Sequence, residues 1–475
     1  MAGFLRTRRC RVVLLLALCT SACASVPNLG ELPSARAPEL GAASRTSLVG
    51  PSSPWPADGW WKRYNDPQLA SLISEALSGS PDLAVAAARI RVAEGLSQRA
   101  GAALSPAVDA FGSAQETKLS KNNGVPAEIV PGGWNDTGSI GLGISLDLDL
   151  WGKNRAALHA SRLDLEAARL DADEARLALT TGIASAYAEL AALYAQHDSY
   201  QSAIDIRQQT LLLITDRVGE GLDSQAALHQ ARARLEQSQA ALEATDEAIK
   251  LAKNALAALI GTGPDRALTI DRPVIVALQA QGLPDNASID LIGRRPDVAA
   301  ARARADAAAQ RIKVARADFY PNVSLTGLIG MQAFGLGNLF TGGSAFGSAG
   351  PAVTLPIFHG GAIQGQYRTA RGQYDEAVAL YDRQVTQALH ETADALASQQ
   401  MLASRLASSR RALADFEEAN RLARLRYRQG LSTYLDVLSA EEGVLDSRLA
   451  VARLQTRAFA LDVSLIRALG GGFNS

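Results

Sequence analysis

The sequence predicts a mainly α-helical fold that also carries membrane β-structure, and three observations predict it. First, Arg217-Val218-Gly219-Glu220-Gly221-Leu222 and Arg426-Tyr427-Arg428-Gln429-Gly430-Leu431 each interrupt a very long Ala/Leu-rich helical pattern. Glycine most readily ends a helix and reverses a chain, so both stretches read as tips of helical hairpins. Second, the chain is written twice: Pro81-Asp82-Leu83 matches Pro296-Asp297-Val298 at an offset of 215, and the two tips match at 209. Third, Ile140, Leu142, Ile144, Leu146, Leu148 and Leu150 alternate with Gly141, Gly143, Ser145, Asp147 and Asp149, the period of a strand with one apolar face.

From the N-terminus, Arg6, Arg8, Arg9 and Arg11 precede the apolar run Val12 to Leu18 and the small residues Thr20-Ser21-Ala22, the layout of an export signal. The run is too short to span a bilayer as a stable helix. Cys10, Cys19 and Cys23 are the only three cysteines in 475 residues, so none is left beyond position 23, which suits an oxidising compartment. Two readings of the signal stand side by side: conventional cleavage near Ala24, or a lipoprotein box. Thr20-Ser21-Ala22-Cys23 resembles the latter, with Thr20 where leucine is usual, and it would make Cys23 the lipidated first residue. Ala24, rather than aspartate, then points to the outer membrane. The lipid would be a diacylglycerol and an N-acyl chain, and acyl chains contribute about 0.8 kcal/mol per buried CH₂. Arg8-Arg9 also admits a twin-arginine signal.

Residues from Ala24 to about Pro56 are rich in Pro, Ser, Ala and Gly without an apolar period, and read as an extended tether on a surface. The aromatic cluster Trp55, Trp60, Trp61 and Tyr64 reads as a packing knot that docks the tether, with a membrane-interface belt as the alternative.

Within each copy the period switches from helix to strand and back. Helical stretches at 82–104 and 297–319 stop at Ser105-Pro106 and Tyr320-Pro321, because proline disfavours helix in the residue before it. A strand at about 107–117, a polar loop from Lys118 to about Asn135 and the alternating strand to Leu150 follow. The second copy has Val323, Leu325, Gly327 and Ile329, a Gly-rich loop from about Gly330 to Gly350, and Val353, Leu355 and Ile357. Strands of about ten residues cross a bilayer when tilted. Two hairpins cannot close a barrel, the smallest membrane barrels have about eight strands, and open edges are not tolerated in lipid, so several chains must pool their strands.

The helices recur in sevens. Leu163, Leu170, Leu177, Ala184 and Ala191 mark the outgoing leg of about 153–217; Leu228, Leu235, Leu242, Ile249 and Leu256 mark the return of about 223–261. The second copy has Tyr367, Tyr374, Tyr381, Ala388 and Ala395 going out, and Val437, Val444, Val451, Ala458 and Leu465 returning. Such spacing is a coiled-coil seam. At about 1.5 Å per residue the outgoing leg runs roughly 100 Å. The return leg and the helix at 290–319, separated by an irregular insert, together match it. Alanine-rich seams and polar outer faces suit a wall of paired coiled coils around a lumen; a plain two-stranded filament is the alternative.

Composition excludes little: net charge is −1 and the five histidines share no ligand spacing, so neither nucleic acid nor a metal cluster is indicated. His390-Glu391 lacks a second histidine, no phosphate loop is present, and Gly335-Leu336-Gly337 lacks the following glycine of a dinucleotide fingerprint. No enzyme is expected.

The doubled strand-hairpin and helix-hairpin plan, the Cys23 box, the Pro81-Asp82-Leu83 and Arg295-Pro296-Asp297-Val298 openings, the Leu355-Pro356-Ile357-Phe358-His359-Gly360-Gly361 turn and the Arg-x-x-x-Gly-Leu tips together resemble the TolC-type outer-membrane factors, closest in plan to their lipoprotein branch. The resemblance implies a homotrimer whose twelve pooled strands form one outer-membrane barrel continued by an α-helical barrel through the periplasm. It implies a passive, gated exit duct with two partners, a periplasmic adaptor and an inner-membrane pump of the resistance-nodulation-division type. Carried over residue by residue, Arg217, Gly219, Gly221, Leu222, Arg426, Gly430 and Leu431 become adaptor-docking positions. Leu435 with Asp436 or Ser439 forms the periplasmic gate, and Arg424 and Arg426 latch its acids. The expected division is a signal peptide 1–22, a lipidated tether 23–66, repeat one 67–270 (β-hairpin about 107–150, tip 217–222) and repeat two 271–475 (β-hairpin about 322–358, tip 426–431). A duct for one-step protein secretion, and a coiled-coil lipoprotein scaffold without a pore, are the competing readings.

Overall fold

The computed structural model describes residues 26–35, 54–122, 126, 128–274 and 293–473. Cys23 lies outside them, as does the expected start of the helix at 290. After a 3₁₀ turn at Trp60–Tyr64 come α1 (Pro67–Gly79), α2 (Pro81–Ala102), β1 (Ala107–Thr117), β2 (Asn135–Asp147), α3 (Lys153–Gly219), α4 (Gln225–Leu259) and the short α5 (Pro264–Leu268). The second copy supplies α6 (Pro296–Ala317), β3 (Asn322–Phe334), β4 (Ala345–Thr354), α7 (Ala362–Arg428) and α8 (Tyr434–Ala468). Local chemistry sets the helix starts. Asp66 accepts hydrogen bonds from the Gln68 and Leu69 amides ahead of Pro67, and Ser224 accepts one from Ala227 N–H at the start of α4.

Two compact units result, one drawn from Met1–Ala35, Arg89–Ala168 and Ala301–Tyr381, the other from Arg36–Ala88, Arg169–Ala300 and Asp382–Ser475. Each takes segments from both sequence copies. In the first unit the four strands form one antiparallel sheet in the order β1-β2-β3-β4, so β2 and β3 join the copies and β1 and β4 are its edges. Val108 pairs with Ile144, Leu142 with Ile329 and Leu146 with Leu325, and Val323 with Val353. These side chains share one face, and Ile140, Leu142, Ile144, Leu325, Ile329 and Val353 are all exposed on it. On the opposite face Ser113 and Ser139 hydroxyls bond at 2.8 Å, and Ser145 faces Thr326.

The strand boundaries differ from expectation in three places. β2 starts at Asn135 and ends at Asp147 rather than running to Leu150. Asp149 adopts a left-handed φ of 44° and its carboxylate accepts from the Asn154 and Arg155 amides, so it caps the start of α3 instead of facing out from a strand. The loop expected over 330–350 is mostly strand: β3 continues to Phe334 and β4 resumes at Ala345. The glycines read there as loop are required inside the sheet. A Cβ on Gly330 would lie 2.4 Å from Ile140 O, and one on Gly347 would lie 3.1 Å from Leu328 O. β4 ends at Thr354, so Leu355 and Ile357 lie beyond the sheet.

Beside the sheet, Phe319 and Ile312 of the α6 region pack on Tyr367 and Ala370 of α7, with Val26 against the cluster. The tether is held there by polar bonds as well. Arg371 donates to Gly30 O and Glu31 O, and the Tyr374 hydroxyl donates to Pro33 O at 3.1 Å.

In the second unit Trp60, Trp61 and Tyr64 are buried with Leu69, Leu72, Ile73, Tyr187 and Phe459. The aromatic cluster is therefore a packing knot, its Tyr64 hydroxyl donating to Asp462 at 2.5 Å. Seam residues Leu177, Ala184, Ala191, Leu228, Leu235, Ile249 and Leu256 are buried, as are Val437, Val444, Val451 and Leu465. The Arg295-Pro296-Asp297 opening also has a structural cause. Arg295 is buried and grips Asp297 through both carboxylate oxygens at 3.0 and 2.7 Å, and it donates to Glu391 at 2.7 Å. The Arg295 guanidinium outweighs the effect of burial and holds the Asp297 carboxyl below its ordinary range.

Candidate functional site

The two helix-hairpin tips and the helix turns on either side of them lie in the second unit and carry every predicted docking and gate residue. Both tips close with the same pair of bonds. Leu222 N–H donates to Arg217 O at 2.8 Å and Gly221 N–H to Val218 O at 3.1 Å; Leu431 N–H donates to Arg426 O at 2.8 Å and Gly430 N–H to Tyr427 O at 3.0 Å. This is the Schellman closure, which needs a left-handed residue at the position after the cap. Gly221 and Gly430 supply it with φ of 74° and 73°. Gly219 is different: it sits in the last turn of α3, and a Cβ there would meet nothing within 4 Å. Leu222 and Leu431 project with exposures of 60% and 64%, an arrangement that leaves two apolar side chains unburied at the ends of the hairpins.

Below them the hairpins are bolted together. Tyr427 of α7, only 1% exposed, packs with Ile214, Leu228, Ala231, Tyr434, Val437 and Leu438. Its hydroxyl donates to Asp223 of the first tip, and the Arg217 guanidinium lies over its ring at 4.8 Å. Arg217 also faces Asp223 at 3.8 Å. Burial, followed by the bond to Asp223, pushes the Tyr427 hydroxyl far up, so it is a donor at any physiological pH.

Past the second tip, Leu435 is 61% exposed, and Asp436 and Ser439 share its exposure. Leu435 and Ser439 are four apart on one helix face. The Asp436 carboxylate accepts from Thr433 N–H at 2.9 Å and from the Thr433 hydroxyl at 3.0 Å, folding back on the start of α8. Those two bonds hold its carboxyl below the ordinary aspartate value, so it is charged at neutral pH. Arg424 donates to Gln209 of α3 at 3.1 Å, and Arg426 is exposed. The structure thus brings Leu435, Asp436 and Ser439 together and turns Arg424 toward the first hairpin.

Sequence reasoning missed the polar layer one turn deeper. Glu441 is buried and accepts from the Thr210 hydroxyl at 2.6 Å. Arg207, also buried, donates to Arg234 O at 2.9 Å and to the Ser238 hydroxyl. Burial pushes the Glu441 carboxyl above its ordinary value against the pull of Thr210 and Arg207. No signal in the periodicity marks it: its counterpart 209 positions earlier, Arg232, occupies the same place in the heptad and is exposed.

Against known proteins, residues 72–262 and 289–471 match the family model described as outer membrane efflux protein. The chain is 30% identical over 435 residues to the multidrug resistance outer membrane protein MdtP of Shigella flexneri, covering 89% of this chain and 88% of that one. It is 35% identical over 368 residues to the fusaric acid resistance protein FusA of Burkholderia cepacia, covering 75% and 68%. The crystal structure of the outer membrane protein VceC from Vibrio cholerae is similar with a TM-score of 0.84 and 45% identity, covering 88% of this chain and all of that one.

Proposed function

The chain belongs to the outer membrane efflux protein family, and from that premise we propose that it is the passive, gated exit duct of a tripartite efflux system. It is a channel and not an enzyme. One observation carries the reading: a four-stranded antiparallel sheet has a face that is apolar apart from Glu116 and Asp136 at one end, exposed at Ile140, Leu142, Ile144, Leu325, Ile329 and Val353, with β1 and β4 as its edges. In lipid every backbone group must be satisfied internally, so neither edge can stand open. Three chains pooling twelve strands close one outer-membrane barrel, with the coiled-coil helices extending into the periplasm.

The rest of the proposal follows the same logic. The exposed Leu222 and Leu431, with Arg217, Gly219, Gly221, Arg426 and Gly430 around them, form the surface on which a periplasmic adaptor docks. An inner-membrane pump of the resistance-nodulation-division type supplies the energy. Cys23, acylated, anchors the chain to the outer membrane. MdtP and FusA are named for multidrug and fusaric acid resistance, which supports small toxic molecules as cargo.

The gate comprises Leu435, Asp436 and Ser439, with Arg424 as its tie to the neighbouring hairpin. Three charged Asp436 carboxylates around a narrow throat repel anions and attract cations.

Two measurements test this. The purified protein run unheated on a denaturing gel is expected at the mass of a trimer and to open channels in planar bilayers. Migration as a monomer without conductance would sink the duct. Asp436→Ala is expected to lower the preference for cations over anions and to change conductance and antibiotic leak; unchanged values would remove Asp436 from the gate.

A further inference from the structure

One row of the sheet departs from the polar character of its face. Phe111 pairs with Gly141, Gly141 with Gly330, and Gly330 with Phe346, so all four strands contribute to a Phe-Gly-Gly-Phe row. Alternation puts these residues opposite the apolar face. The row on one side joins Ser113, Ser139 and Gln332. The row on the other joins Asp109, Gly143, Leu328 and Ser348.

The two rings lean inward from the edge strands over the central glycines. A Cβ on Gly141 would lie 2.7 Å from Phe111 Cζ and 2.9 Å from its Cε1, and one on Gly330 would lie 3.1 Å from Phe346 Cε1. A Cβ at Gly141 would displace the Phe111 ring, and at both glycines it would also meet backbone oxygens, Ile329 O at 2.7 Å and Ile140 O at 2.4 Å. The glycines therefore let both phenylalanines approach the central backbone closely. Phe111 remains 37% exposed and Phe346 is half-buried. With Leu328 beside them, the rings form an apolar band across all four strands, on a face that elsewhere carries mostly Ser, Thr, Asn, Gln, Asp and Gly, with Ala107, Ala352 and, at the far end of β3, Phe334.

We propose that Phe111 and Phe346 are cargo-contacting residues, an aromatic band on the water-facing side of the barrel that binds planar aromatic molecules in transit. The proposal rests on the reading above that this face lines a conducting pore, and in a trimer it puts six such rings on the lumen wall. Aromatic side chains on such a wall favour aromatic guests over aliphatic ions of the same charge, through ring contacts and cation–π attraction. Covering bare glycines also steadies strand pairing. That structural role alone would not discriminate between an aromatic and an aliphatic cation.

The experiment uses the full-length protein in planar bilayers, with ethidium as aromatic probe and tetraethylammonium as aliphatic control. Ethidium is expected to interrupt the wild-type current at lower concentration than tetraethylammonium. The Phe111→Ser/Phe346→Ser pair should conduct potassium chloride as before and lose ethidium block by about tenfold, with tetraethylammonium unaffected. The Phe111→Leu/Phe346→Leu pair keeps apolar cover over the glycines. It should lose ethidium block by a smaller factor, and it decides the question if the serine pair does not assemble. Equal ethidium block in wild type and variants, or a parallel loss for both cations, would overturn the proposal. A wild-type protein that opens no channel would instead overturn the pore reading on which it rests.

Discussion

The two hairpin tips share an arginine, a glycine and a leucine at matching positions, yet they play different parts. At both, the backbone reversal is the same Schellman closure around a left-handed glycine. The side chains diverge. Arg217 of the first tip turns inward onto the Tyr427 ring and Asp223, while Arg426 of the second is exposed. Val218 is half-buried at the position where its counterpart Tyr427 is fully buried. Duplication thus preserved what the backbone needs and freed the side chains to make one tip the bolt and the other the socket.

The largest test of that division is Tyr427→Ala, which should destabilise the tip by about 3–5 kcal/mol, against about 1 kcal/mol for Val218→Ala. Hydrogen-exchange protection of the amides around Ile214 and Val437 would show it, and equal effects would erase the asymmetry. Gly221→Ala and Gly430→Ala should each cost about 1–2 kcal/mol, because alanine must adopt left-handed φ. Here the tips should respond alike.

Glu441 sharpens the contrast through pH. Its folded pKa is raised, so its stabilising contribution is fully present below the ordinary glutamate value of 4.5 and is lost as pH rises through the folded pKa. Thermal melting of the wild type should therefore weaken over that range, and Glu441→Gln, which retains an acceptor for Thr210, should flatten the profile. Arg232→Gln, at the matching exposed position, should leave it unchanged.

The smallest effect is expected at Gly219. A helical glycine with open space around its Cβ direction gains about 0.5–1 kcal/mol on replacement by alanine. Should adaptor binding fall in Gly219→Ala while stability rises, the position serves docking rather than the turn.

Much of the fold was legible because helices announce themselves locally. The tips, the proline stops before Pro106 and Pro321, and the seam leucines, alanines and valines all follow from propensity and period. The strands were less legible where glycine has two meanings. Gly330 and Gly347 read as loop, but they sit in strands because neighbouring backbone comes too close for a Cβ. Asp149 continued the alternation faultlessly and yet left the strand, since two unsatisfied amides at the start of α3 were within its reach.

At the candidate site, the exposed Leu435, Asp436 and Ser439 were found from a motif, whereas Glu441 and Arg207 were not. A heptad pattern cannot tell which polar residue faces solvent and which faces a third helix.

By itself, then, the sequence determined the helical hairpins, their reversal points, the internal duplication and the presence of strands with one apolar face, because each depends on residues near one another in the chain. Only the tertiary structure decided that β2 joins β3 across the copies, that Phe111 and Phe346 lean over a shared pair of glycines, and that Tyr427 locks to Asp223. Those pairings depend on register and approach between segments about 200 residues apart, and no local period encodes them.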